Sequence, residues 1–305
     1  MTGRRSLAVA IALLTAALAT AGCGLGAGAD VGEVSLTVTR DYGAERVRPP
    51  LREAASESDT VMRVLERNAE ISTRYGGGFV QAIGGLEAEE RFGRSSDWFF
   101  YVNGVESTVG AADYRLHGGE AIWWDYRDWS AAMRVPAVVG SWPEPFLHGY
   151  DGRRRPVVVE CLGGGAACGA SRDALTDAGV DVGPGAVQGA IRVLVGPWAR
   201  LRQDAVAAQI EDGPQASGVF ADFEQAAGGL RLVALGVDGE AARSLGAGAG
   251  LVAATRRYDA PPAWIVTGVD RAGVDAAAGL LDGADLRDRY AVATEGGTET
   301  PLPIR

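Results

Sequence analysis

The chain predicts an α+β protein with two folded units, and three observations carry that expectation. Short runs with strand period outnumber helical patterns, an aromatic-rich strand meets a hairpin turn at Asn103-Gly104, and a Pro- and Gly-bearing stretch near 130–155 separates two such series. The layout is a first unit over 33–129, a connection over 130–155 and a second unit over 156–305.

In the first unit, Val34, Leu36 and Val38 alternate with Ser35, Thr37 and Thr39, which is the period of a half-buried strand. Ser58-Asp59-Thr60 supplies capping side chains ahead of Val61, Val64 and Leu65, so a helix is expected over about 60–69. Gly76 to Gly78 lead into a strand at 79–83. Trp98 to Val102 is a second, aromatic strand whose Asn103-Gly104 turn should return the chain along 105–109. Glu120 to Tyr126 is a third. Consecutive strand residues face opposite ways, so about half of these aromatics belong to the core and one face is left to explain. Phe79, Trp98, Tyr101, Trp123, Trp124 and Tyr126 are the candidate ligand contacts, as a platform for a flat ligand, a glycan or a partner.

The second unit reads as α/β or α+β. Strands are expected at 157–159, 191–195, 219–223, 230–235, 251–254, 264–267 and 290–293, with helices at 199–210, 239–245 and 272–281. Val193-Leu194-Val195-Gly196 and Ile265-Val266-Thr267-Gly268 each lead toward an alanine-rich segment, which leaves open a β-α-β duplication of ferredoxin-like order. Gly246 to Gly250 precedes a strand and opens no helix, so it reads as a turn, not a nucleotide loop.

Charge and composition narrow the function classes. The net charge is −10, and all 29 basic residues are arginine. That balance argues against a nucleic-acid partner, and the lack of lysine excludes both the phosphate-loop lysine and Schiff-base chemistry. No Gly-x-Ser-x-Gly or His-Glu-x-x-His arrangement occurs, so neither an enzyme nor a catalytic cofactor is expected. Cys161 and Cys168, separated by a glycine-rich stretch, should pair as a disulfide in an exported protein, closing a ring that stabilises by about 2–3 kcal/mol. A metal pair is the alternative, but His117 and His148 lack ligand spacing, and no metal site is expected.

At the amino terminus, Arg4 and Arg5 precede an apolar run that ends in Leu18-Ala19-Thr20-Ala21-Gly22-Cys23. This resembles bacterial lipoprotein signals, although leucine is usual where Thr20 stands; an ordinary secretory signal or an uncleaved anchor helix are the alternatives. The resemblance implies that residues 1–22 are removed, that Cys23 is acylated, and that the protein is anchored on the extracytoplasmic face of the cell membrane. Residues 23–32, rich in Gly and Ala, would then be a flexible tether.

Several blocks of the first unit, in order, carry a second resemblance. These are Thr60 to Leu65, Gly77-Gly78-Phe79-Val80, Ile83-Gly84-Gly85-Leu86, Trp98 to Val105, Gly118-Gly119-Glu120 and Ile122-Trp123-Trp124-Asp125-Tyr126. Together they are similar to the C-terminal domain of transcobalamin and intrinsic factor and its bacterial homologues. The resemblance covers about 95 residues and implies a β-grasp-like α+β domain, with a corrinoid as a conceivable ligand. The helical barrel that completes the cobalamin site in that family has no counterpart here. Arg192 to Trp198, followed by an alanine-rich stretch, is similar over about 30 residues to the sporulation-related repeat that binds peptidoglycan glycan. The expected function is therefore a lipid-anchored binding protein that captures a small ligand or docks on an uptake transporter. The alternative is a structural lipoprotein that contacts cell-wall glycan or protein.

Overall fold

The computed structural model describes residues 28–91, 94–163 and 165–305; the expected signal segment, residues 1–22, and Cys23 lie outside the described residues. The first unit has strands β1 (Asp30–Arg40), β2 (Glu45–Arg46), β3 (Leu51–Ser56), β4 (Ile71–Arg74), β5 (Phe79–Ile83), β6 (Leu86–Glu87), β7 (Glu89–Arg91), β8 (Arg94–Val102), β9 (Val105–Glu106) and β10 (Ala121–Asp128). The main sheet runs β2-β1-β10-β8-β7, with β3 also paired to β1 and β9 to β8; β4, β5 and β6 form a small sheet of their own. The first and last long strands, β1 and β10, lie parallel at the centre while β3 and β8 flank them antiparallel, which is the β-grasp-like order.

One face of this sheet is closed by the helix Val61–Asn68, whose Thr60 side chain accepts from the Arg63 N–H at 3.3 Å. Val61, Val64 and Leu65 of the helix bury against Val34, Leu36 and Val38 of β1 and Ile122, Trp124 and Tyr126 of β10. The Asn103-Gly104 turn has positive φ at both residues, as a two-residue hairpin needs. The return strand β9 is only two residues long, because the chain leaves the sheet after Glu106.

The second unit contains β11 (Val157–Cys161), β12 (Val182–Gly183), β13 (Ile191–Pro197), β14 (Ala221–Ala226), β15 (Gly229–Leu235), β16 (Ala241–Leu245), β17 (Gly250–Thr255), β18 (Ala263–Gly268), β19 (Ala291–Glu295) and β20 (Thr298–Leu302). Seven of them form a mixed sheet in the order β12-β11-β13-β18-β17-β19-β20. The pairings from β12 through β18 are parallel, so the ferredoxin-like order, antiparallel throughout, is not the one adopted. Two helices, Ala166–Asp177 and Arg271–Ala278, cover one face, on which Val193, Val195, Val252, Trp264 and Val266 lie. The alternate residues Leu194, Leu251, Ala253, Ile265 and Ala293 face the other way, onto the β14-β15-β16 sheet and the first unit.

Two expected helices are replaced, each for a local reason. Over 199–210 only Trp198–Leu201 is α-helical; Asp204 then accepts from the Val206 and Ala207 N–H groups, restarting the chain as the 3₁₀ turn Ala207–Asp212. Residues 239–245 instead supply β16, because pairing with β15 satisfies the backbone that a short polar helix would leave on the surface. The expected disulfide, Cys161 to Cys168, is present and joins the end of β11 to the first turn of the following helix.

Candidate functional site

The open face of β1 and β10 is where sequence patterning left something to explain. Ser35, Thr37 and Thr39 point there from β1, with Trp123 and Asp125 from β10 and Tyr101 from β8. Its far half is covered by the second unit. Tyr101 and Trp123 pack there against Tyr290, with Tyr290 ring centroids 5.8 and 5.5 Å away, and Tyr42 packs between Tyr290 and Phe220. Gly43, with φ of 79°, is required in this junction because a Cβ there would overlap the Asp288 carbonyl.

A buried carboxylate lies inside the junction. Asp125 accepts from Thr39 Oγ1 at 2.6 Å, the Gly43 N–H at 3.0 Å and the Tyr290 hydroxyl at 2.9 Å, while Trp123 Nε1 donates to Thr39 Oγ1 at 2.7 Å. Burial pushes its carboxyl up to about 6 despite these donors. The Tyr101 hydroxyl, fully buried and 3.2 Å from that of Tyr290, is likewise pushed up by burial to about 12. Arg127, also buried, donates to the Ala132 and Met133 carbonyls at 2.7 and 3.0 Å and stacks on Phe99 at 3.7 Å. Asp125, Thr39, Trp123, Tyr101 and Tyr290 are thus joined by hydrogen bonds to one another, and so link the two units.

The near half of the same face stays open. The connecting segment crosses it with Ser141, Trp142, Leu147 and His148, enclosing a cleft of about 670 Å³ between the first sheet and the second unit. That is the size of an ordinary small-molecule site. Trp142 is fixed from behind by Phe146 and Trp264, 5.7 and 5.6 Å away between ring centroids. Buried Glu144 orients His148: its Oε1 is 2.5 Å from Nδ1, and its Oε2 accepts from the backbone N–H at 3.0 Å. Burial raises the Glu144 carboxyl and the histidine contact opposes that. The ring lies on Gly119, where any Cβ would collide with it. At one end Arg46 donates to Asp288 at 2.6 Å, an ion pair from β2 to the second unit. Arg52 and Arg287, also lining the cleft, make no ion pair among the described residues.

The candidate contacts are distributed differently from the expected platform. Trp98, Trp124 and Tyr126 are buried in the helix-covered core, Tyr101 is buried in the junction, and Trp123 is buried there with an edge on the cleft. Phe79 alone is exposed, at 38%, beside Tyr75 on the β4–β5 turn and away from the cleft. Trp198, the glycan candidate, has no accessible surface; it stacks on Phe223 at 4.3 Å and donates from Nε1 to Glu211. The cleft residues Trp142, His148, Arg52 and Arg287 were not foreseen. A Trp followed by two prolines, at 142–145, was the available signal, since a large aromatic in a connection needs something to pack on.

Among the described residues, no group of three or more His, Cys, Asp or Glu side chains could hold a metal ion. No helix of the described residues is long and apolar enough to cross a membrane. Residues 58–128 match the family described as "Domain of unknown function (DUF4430)". Among solved structures, the chain is similar to that of a presumed metal-binding protein from Ruminococcus gnavus, with 13% identity and a TM-score of 0.24 over 32% of this chain and 97% of that one. No curated protein matches the chain.

Proposed function

We propose that this protein is a binding protein that captures a small ligand in the cleft between its two units, working outside the cytoplasm and tethered to the membrane through acylated Cys23. The observation that carries the reading is the cleft itself. Its floor is a rigid sheet, its wall is an aromatic held by the second core, and it is lined by Arg52 and Arg287, which make no ion pair among the described residues; an aromatic surface with placed polar groups is the composition of a recognition site. The transcobalamin-like pattern of the first unit makes a corrinoid the first ligand to test, and a neighbouring transporter would be the natural recipient. Nothing in the reading requires the ligand to be transformed.

Equilibrium titration of the purified protein with cobalamin and cobinamide tests it. Binding below millimolar concentration, weakened at least ten-fold by Trp142→Ala, supports the reading, and no binding of either ligand removes corrinoid capture. Anchoring is tested separately, since Cys23→Ala should move the protein from the membrane fraction to the soluble one, and unchanged partitioning would remove lipidation.

A further inference from the structure

A second cleft, of about 530 Å³, lies on another side of the junction, between the end of β9, the stretch after β10, the turn at 209–216 and the loop that follows β17. Its most unusual component is Arg256. This residue is only 7% exposed, yet a single hydrogen bond holds its guanidinium, from Nε to the Ala260 carbonyl at 2.8 Å, with the group 5.3 Å above the Tyr150 ring. Among the described residues its two terminal nitrogens have no hydrogen-bond acceptor and no carboxylate within 4.0 Å. Arg127 differs, with backbone carbonyls on both terminal nitrogens, although its Nε has no partner among the described residues.

The nearby acids make no hydrogen bond to Arg256 among the described residues, although Glu106 is close enough for the Arg256 charge to favour its carboxylate. Glu106 lines the same cleft but is held by Arg134 at 2.9 Å, and Asp259 stays exposed on the rim. A buried, permanently charged fork with free donors favours an oxyanion, which it can bind through two parallel hydrogen bonds. The rest of the lining mixes polar side chains, Thr108, Gln209 and Gln215 among them, with two exposed apolar ones: Met133 is 58% exposed and Tyr258 85% exposed. Tyr258 also holds a left-handed backbone with φ of 51°, a conformation that a bulky side chain rarely adopts without a local reason.

We propose that this second cleft binds an oxyanion, a carboxylate or a phosphate, carried on an apolar body. Arg256 takes the charged group, and Tyr258 with Met133 cover the apolar part. The site is separate from the cleft at Trp142 and stands without it, because neither Arg256 nor Tyr258 lines that cleft.

The test compares hexanoate, hexyl phosphate, hexanol and acetate by calorimetric titration of the full protein, following Arg256 in parallel through its side-chain N–H resonances. At least one of the two hexyl anions should bind ten-fold or more tightly than both hexanol and acetate and should shift the Arg256 resonances; which one does so identifies the carboxylate or phosphate source. Arg256→Met should bring the anion within two-fold of hexanol. Tyr258→Ala, at an exposed position that does not threaten folding, should weaken the hexyl anion while leaving acetate unchanged. Equal binding of anion and alcohol by the native protein, or unmoved Arg256 resonances at saturation, would overturn the proposal whether or not Arg256→Met folds.

Discussion

Asp125 shows how a single residue couples burial to stability. Its carboxyl, pushed up to about 6 from 3.8, holds a proton more tightly in the folded chain than in the unfolded one. The stability it contributes is therefore fully present below the ordinary carboxylate range and is lost as pH rises through about 6. Asp125→Asn removes that dependence. Between pH 4.5 and 7.5, the urea-derived stability of the native protein should fall relative to the variant by about 2 kcal/mol. A constant difference between the two would show that the carboxylate stays charged throughout. Arg256 and Trp198 teach a related point, since each looked unremarkable or misleading in the chain until its burial was known. Trp198 suggested glycan contact and is core; Arg256 suggested nothing and is a buried cation whose terminal nitrogens find no acceptor among the described residues.

At the level of elements, capping explains which segment ends carry tertiary weight. Asp270 caps the helix Arg271–Ala278 by accepting from the Gly273 N–H at 2.9 Å, and its other oxygen accepts from the Gly248 N–H at 2.9 Å, tying the turn before β17 to the helix start. Thr60 makes only the local cap. Asp270→Ala should therefore destabilise by about 2 kcal/mol and Thr60→Ala by about 1 kcal/mol, measured by chemical denaturation. Equal losses would mean that the Gly248 link contributes nothing. Most elements were readable because strand alternation is a local property. Strand β16 was not, since Ala241 to Leu245 has no marked alternation and becomes a strand only by pairing with β15. The helix Ala166–Asp177 was hidden for the opposite reason: its glycine- and alanine-rich start resembles a loop, and its buried Leu175 and Ala167 find their place only against β11 and β13.

On the scale of the whole molecule, the junction makes two sheets behave as one body. Tyr290 donates to Asp125 at 2.9 Å and stands 3.2 Å from the Tyr101 hydroxyl, and Arg46 pairs with Asp288 across the same boundary. The connecting segment packs as core, with Val138, Val139, Phe146 and Tyr150 buried, where its proline content had suggested only a linker. Scanning calorimetry should show one unfolding transition, and Tyr290→Phe should lower it as a single peak, by about 1–3 kcal/mol, because Asp125 and Tyr101 each lose a buried partner. Two resolved transitions would show that the units unfold independently. The first cleft depends on this coupling, since its floor and wall come from different units.

The amino-acid pattern by itself determined the α+β class, the Asn103-Gly104 hairpin and the Cys161–Cys168 pairing. All of these follow from periodicity, turn chemistry or short separation along the chain. Only the tertiary structure decided which aromatics were core, that the second sheet is mixed, and that two clefts open at the junction. Those outcomes depend on distant segments meeting, as Trp142 meets Trp264 and Asp125 meets Tyr290, and no local rule reports where a buried face will find its cover.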